Sequence, residues 1–112
     1  MRKLLIALFT LVCTAPAFAQ DAANKAKEVC AACHGEDGNG KQEYPEYPKL
    51  AGQYSDFLYH ALRGYKSGAR KNAIMAGMAQ PLTDAEMRAL AEYYANQPSS
   101  LKVIRDHAVF VQ

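Results

Sequence analysis

Apolar positions recur at three- and four-residue intervals in three stretches of this chain. The first covers residues 21–33, where Ala22, Ala26, Val29, Cys30 and Cys33 fall on one helical face. His34-Gly35 ends it, with Gly35 suited to the left-handed position that follows a helix. The second covers 55–66, with Phe57, Leu58, Ala61, Leu62 and Tyr65 on its apolar face and Ser55 placed as an N-cap. The third opens on Thr83-Asp84-Ala85-Glu86, a capping box, and ends near Gln97. Its inward residues are Met87, Leu90, Ala91 and Tyr94, and Asn96 and Pro98 close it. Residues 36–49 carry Gly38, Asn39, Gly40, Pro45 and Pro48 and read as a loop. Residues 67–82 hold Gly68, Gly77 and Pro81 without a sustained period, so the pattern predicts mostly loop there. No convincing strand precedes residue 102. The predicted class is all-α, three or four short helices that pack around a pocket.

The N-terminus follows a different pattern. Arg2 and Lys3 precede a short apolar run from Leu4 to Val12, and Ala17-Phe18-Ala19 fits a small-x-small cleavage site. Residues 1–19 therefore read as a secretory signal peptide, with a mature start at Gln20 and a periplasmic destination. The apolar run is too short to span a bilayer comfortably, which leaves an uncleaved anchor as the second reading. Removing this leader leaves basic and acidic residues equal in number, so the 13 basic against 11 acidic residues of the whole chain give no footprint for a nucleic-acid partner. It also removes Cys13, and of the 3 cysteines only Cys30 and Cys33 stay, too few for a disulfide framework. What remains is one domain over 20–98 and a tail over 99–112. The apolar Ala108-Val109-Phe110-Val111 run in the tail reads as a segment that packs back onto the domain. A domain this small has a marginal core, which a buried cofactor would enlarge.

The chemistry is concentrated in Cys30-Ala31-Ala32-Cys33-His34. A C-x-x-C-H run is an attachment site for c-type haem: two thiols add to the porphyrin vinyl groups and the histidine ligates the iron. Residues three and four apart share a helical face, so Cys30, Cys33 and His34 point at one object. A thioredoxin-like reading would need a βαβ setting, and the strands are missing. A structural zinc site would need four good ligands. The opposite side of the iron decides the function, because a methionine there raises the reduction potential and closes the site. The candidates are Met75, Met78, Met87, His60 and His107. Met87 lies on the core face of the last helix, His60 is a lone helical histidine, and His107 sits in the tail. Met75 and Met78 lie in the loop before the last helix, where a thioether could be draped over the porphyrin.

The order of helix, Cys30-x-x-Cys33-His34, Tyr47-Pro48-Lys49-Leu50-Ala51-Gly52-Gln53, methionine loop and capped last helix resembles a class I c-type cytochrome. It is most similar to the small cytochrome c-553 group and to either half of the dihaem cytochrome c-4, over roughly residues 22–97. The resemblance implies the small cytochrome c fold around one haem c. Cys30 and Cys33 would form the thioethers, and His34 and Met75 would be the axial iron ligands, with Met78 second in line for the methionine role. Pro48 matches the proline whose carbonyl accepts the Nδ1–H of the proximal histidine, fixing its ring and tautomer. The same proline stiffens the loop. Two departures stand out. Ala22 and Ala26 occupy places where the family often has a glycine and an aromatic, facing Leu90 and Tyr93 or Tyr94, and the tail is longer than the family needs.

These readings converge on a periplasmic one-electron carrier and not an enzyme. Its partners would be redox proteins such as a membrane oxidase, a reductase or a dehydrogenase, and it would meet membranes only through them. Lys66, Arg70 and Lys71 form a basic cluster that reads either as an edge for an acidic partner or as a solvated loop. The alternatives are a haem c subunit of a larger dehydrogenase or oxidase, supported by the tail, and an enzyme or sensor with an open sixth position.

Overall fold

The last helix of the described residues packs against two of the others. The computed structural model describes residues 17–101. Most of the leader, His107 and the apolar run of the tail therefore lie outside the described residues. Ala17-Phe18-Ala19 is the first turn of α1 (Ala17–Lys25). This helix runs on through a π-helical turn, Ala26–Cys30, into α2 (Ala31–His34). The others are α3 (Ser55–Ser67), α4 (Ala73–Ala79) and α5 (Asp84–Ala95). Among the described residues there is no strand, only one isolated bridge between Lys41 and Tyr44. The class is all-α, as the periodicity predicts.

The capping box forms in full. Thr83 Oγ1 accepts the Glu86 N–H at 3.2 Å, and a Glu86 carboxylate oxygen accepts the Thr83 N–H at 2.7 Å. At the other end the Asn96 side chain donates to the Glu92 carbonyl at 2.9 Å and the Gln97 side chain to the Tyr93 carbonyl at 3.0 Å. These side chains satisfy carbonyls that the helix itself leaves open. Helix α5 packs on α1 and α3. Its Met87, Leu90, Ala91 and Tyr94 are buried with Ala22, Ala26, Leu58, Tyr59 and Leu82. Each large side chain in this cluster contributes about 1.5–3 kcal/mol by burial. Ala22 on α1 and Ala26 at the start of the π-helical turn put small side chains into this cluster.

Four expectations need correction. Val29 is 48% exposed, not inward. The π-helical turn explains this: the Ala31 N–H bonds to the Ala26 carbonyl, so the buried series steps from Ala26 to Ala31 and past Val29. Ser55 is the first helical residue of α3 and caps nothing, since the N-cap is Tyr54, without a side-chain bond. The buried pair of α3 is Leu58 and Tyr59, while Phe57 is 48% exposed. Tyr59 turns inward because its hydroxyl donates to Asp84 Oδ1 at 2.5 Å and accepts from Arg88 at 2.8 Å, so burial leaves no polar group unpaired. Last, residues 67–82 are not mostly loop. They contain α4, started by Asn72, whose side chain accepts the Met75 N–H at 2.9 Å.

Candidate functional site

The helical run that begins at Ala17 delivers Cys30, Cys33 and His34 together at its end. Both cysteines are free and half-buried. Burial pushes the Cys30 thiol up from its ordinary value, with the neighbouring Tyr94 hydroxyl and Lys25 pulling the other way. His34 is only 6% exposed. The chain must turn sharply after it, and Gly35 at φ 84° makes the turn. A Cβ there would sit 2.7 Å from the Gly40 carbonyl oxygen, so only glycine fits. The Gly40 N–H donates to the His34 carbonyl at 2.8 Å and closes the loop on itself.

The loop then returns through turns at Lys41–Tyr44 and Tyr44–Tyr47 to Pro48. The Pro48 carbonyl lies 2.7 Å from His34 Nδ1. A carbonyl only accepts, so Nδ1 carries a proton and donates, and in the neutral imidazole that leaves the lone pair on Nε2. That lone pair is what a metal needs. The loop closes onto the rest of the site through Gly38, whose carbonyl accepts the N–H groups of Leu50 at 2.8 Å and Ala51 at 3.0 Å.

Met75 and Met78 stand on α4 and not in a loop. They are three apart, on one side of the helix. Met75 is half-buried, whereas Met78 is 48% exposed. Helix α4 packs mainly against α3, so both methionines sit on a separate element from His34. The structure thus brings His34 to Pro48, keeps both cysteines on the histidine's own helical run, and carries the methionines on another helix. Met87 is buried in the core and His60 is exposed on α3. In the basic cluster, Lys66 donates to the Leu82 carbonyl. Arg70 donates to the Tyr65 hydroxyl at 2.8 Å and stacks on that ring and on Phe57. Lys71 is exposed.

Haem c suits this donor set. Among the described residues no three His, Cys, Asp or Glu side chains converge to hold a bare ion. A porphyrin brings four equatorial nitrogens of its own, so one fixed imidazole and one axial partner suffice for its iron. Two thiols beside that imidazole match the two vinyl groups. Helix α4 also presents Ile74, 59% exposed, and Met78 one turn on, an apolar face of the kind a flat apolar group would cover.

Sequence reasoning misses two features near this site. Helix α4 has a readable signal, Asn72 ahead of an Ala- and Met-rich run of good helix formers. The contact of the Tyr94 hydroxyl with the turn that carries Cys30 joins residues 68 apart and has no local signal.

Comparison with known proteins adds an independent line. The family model described as cytochrome c matches residues 19–97. A cytochrome c4 of Thiocapsa roseopersicina is 47% identical over 76 residues, 68% of this chain and 38% of that protein. A cytochrome c-553 of Nitratidesulfovibrio vulgaris is 34% identical over 101 residues, 83% of this chain and 96% of that protein. The crystal structure of reduced recombinant cytochrome c4 from Pseudomonas stutzeri matches with a TM-score of 0.66 and 37% identity, covering 74% of this chain and 47% of that one. The chain spans about half or less of the cytochrome c4 proteins that it matches.

Proposed function

Since the chain belongs to the cytochrome c family, whose cofactor is covalently attached haem c, we propose that it is a one-electron carrier with His34 and Met75 as the axial iron ligands. When bound, the haem supplies an iron that takes up and releases one electron at a time. The residues around it hold and tune. Cys30 and Cys33 tether it. His34 ligates through Nε2 because Nδ1 is committed to the Pro48 carbonyl, and that bond fixes the ring plane and raises the basicity of the ligating nitrogen. Met75 would supply the second ligand to the iron. Of the two methionines on α4 it is the less exposed, and its backbone is held by the Asn72 cap. With His34 and Met75 both on the iron no position would remain for a substrate, so the protein would carry electrons and not act as an enzyme. The observation that carries this reading is the 2.7 Å contact between His34 and Pro48 beside two free thiols.

The leader-like pattern of residues 1–19 supports a periplasmic location for this carrier. Among the described residues no helix is long and apolar enough to cross a membrane. Its partners are redox proteins, an oxidase, a reductase or a dehydrogenase, met through small, short-lived interfaces. The test is a pyridine haemochrome assay on the periplasmic fraction, followed by a redox titration of the purified protein. One haem per chain with a reversible one-electron wave is expected. A colourless protein ends the haem reading, and a stable complex on co-purification replaces the free carrier with a subunit of a larger enzyme.

A further inference from the structure

Helix α4 carries Met75, yet apolar burial does little to fix it. Of its 7 residues only Ala79 is buried, and Ile74 and Met78 are exposed. Hydrogen bonds to α3 flank it on both sides. Ahead of its Asn72 cap, the Arg70 N–H donates to the Gly64 carbonyl at 3.0 Å. The two segments approach closely there: a Cβ added to Gly64 would stand 3.1 Å from the Arg70 Cβ. Behind the helix, one residue of α3 is used twice. The Lys66 carbonyl accepts from the Gln80 side chain at 2.9 Å, and the Lys66 ammonium donates to the Leu82 carbonyl. Gln80 and Leu82 are the two neighbours of Pro81, just past the end of α4.

A helix this short is not stable by itself, so its position depends on what holds its ends. Pro81 has no N–H and gives the segment after α4 no backbone donor at that point. The donors come from side chains instead. Lys66 lies in the last turn of α3, where the helix leaves carbonyls without intrahelical partners. Its side chain is not spread into solvent: the residue is half-buried, and among the described residues no carboxylate pairs with it. Its charge is committed to the Leu82 carbonyl, and a bond from a charged donor is stronger than one between neutral groups.

We infer that Lys66 and Gln80 are positioning residues for the Met75 thioether, stapling the C-terminal end of α4 to α3 so that the sulfur stays on the iron. This rests on the reading of Met75 as an axial ligand. The arrangement with α4 in place has both bonds, and one with α4 displaced has neither. Removing a bond therefore raises the population of the displaced state. An external ligand reaches the iron only when the thioether is off it, so its apparent affinity scales with that population.

The test is imidazole binding to ferric, haem-loaded protein, followed by absorption spectroscopy. Gln80→Leu and Lys66→Met are each expected to tighten apparent binding about fivefold, the effect of one net hydrogen bond. Leu90→Ala loosens α5 without touching either bond and keeps the wild-type affinity. In a Met75→Ala background no thioether is left to hold, so adding Gln80→Leu or Lys66→Met changes imidazole binding no further. A wild-type affinity in either single variant overturns the inference. So does an equal gain in Leu90→Ala, or a gain that persists in the Met75→Ala background, since both mean general loosening of the fold. A Met75→Ala protein that binds imidazole no more tightly than wild type overturns the Met75 reading, and this inference with it.

Discussion

Glu86 offers a quantitative test of how the two terminal helices are joined. Its carboxylate accepts the Thr83 N–H at 2.7 Å, pairs with Lys25 on α1, and sits in the first turn of α5. Replacing Glu86 with Gln keeps an oxygen for the capping box and removes the charge. The ion pair is about one-third exposed at each end, so it contributes about 0.5 kcal/mol. The loss of an acid at a helix N-terminus adds about 0.5 kcal/mol. The expected cost of Glu86→Gln at neutral pH is therefore about 1 kcal/mol. Glu86→Ala also breaks the box and costs about 1 kcal/mol more. The pH dependence has a definite sign. The Lys25 partner first, and then the Thr83 N–H, lower the Glu86 carboxyl from 4.5 to about 2. A depressed carboxyl stabilises the fold above its unfolded value and loses that contribution as the pH falls towards its folded one. At face value this shift amounts to about 3 kcal/mol, and exposure to solvent reduces it to about 1 kcal/mol. Urea unfolding of haem-loaded protein, followed by far-ultraviolet circular dichroism, measures the difference between wild type and Glu86→Gln. That difference should shrink by more than half between about pH 6 and about pH 3. A difference that stays constant over this range, or a Gln variant as unstable as the Ala variant, refutes the reasoning.

Other consequences follow from the same geometry. Gly38→Ala forces a Cβ to 2.7 Å from the Tyr94 ring at φ 75°, so it should lower stability by about 3 kcal/mol in the same unfolding experiment. Asn72→Ala removes the cap of α4. Hydrogen exchange of the amides from Met75 to Ala79 should speed up about fivefold, with α5 unchanged. Leu90→Ala, at a side chain 3% exposed between α1 and α3, should cost about 3 kcal/mol and lower the thermal midpoint without changing the absorption spectrum.

The last helix was legible because its signals are local. Thr83 and Glu86 are three apart, and the inward residues Met87, Leu90, Ala91 and Tyr94 keep one period. The first helix was legible in place but not in phase, because nothing in Ala26–Cys30 announces a turn one residue wider than an α-helix. Phe57 outranks Tyr59 on hydrophobicity alone. The structure reverses them because Asp84 and Arg88, 25 and 29 residues away, satisfy the Tyr59 hydroxyl, and the Arg88 guanidinium lies 4.1 Å from the ring centroid. Helix α4 was hidden by its composition: with Ala, Gly and Met at most positions it has no amphipathic alternation, and only Asn72 marks its start. The motif Cys30 to His34 is legible from residue types at fixed offsets. Pro48 enters only through the family resemblance, since its 2.7 Å approach to His34 depends on the path of a whole loop.

One spectrum tests the closed iron site with a thioether opposite His34. In ferric protein a methionine sulfur bound to haem iron gives a charge-transfer band at the far-red end of the visible range. Wild type is expected to show this band, Met75→Ala to abolish it, and Met78→Ala to retain it. A wild-type protein without the band, or a band that survives Met75→Ala and vanishes in Met78→Ala, would contradict it.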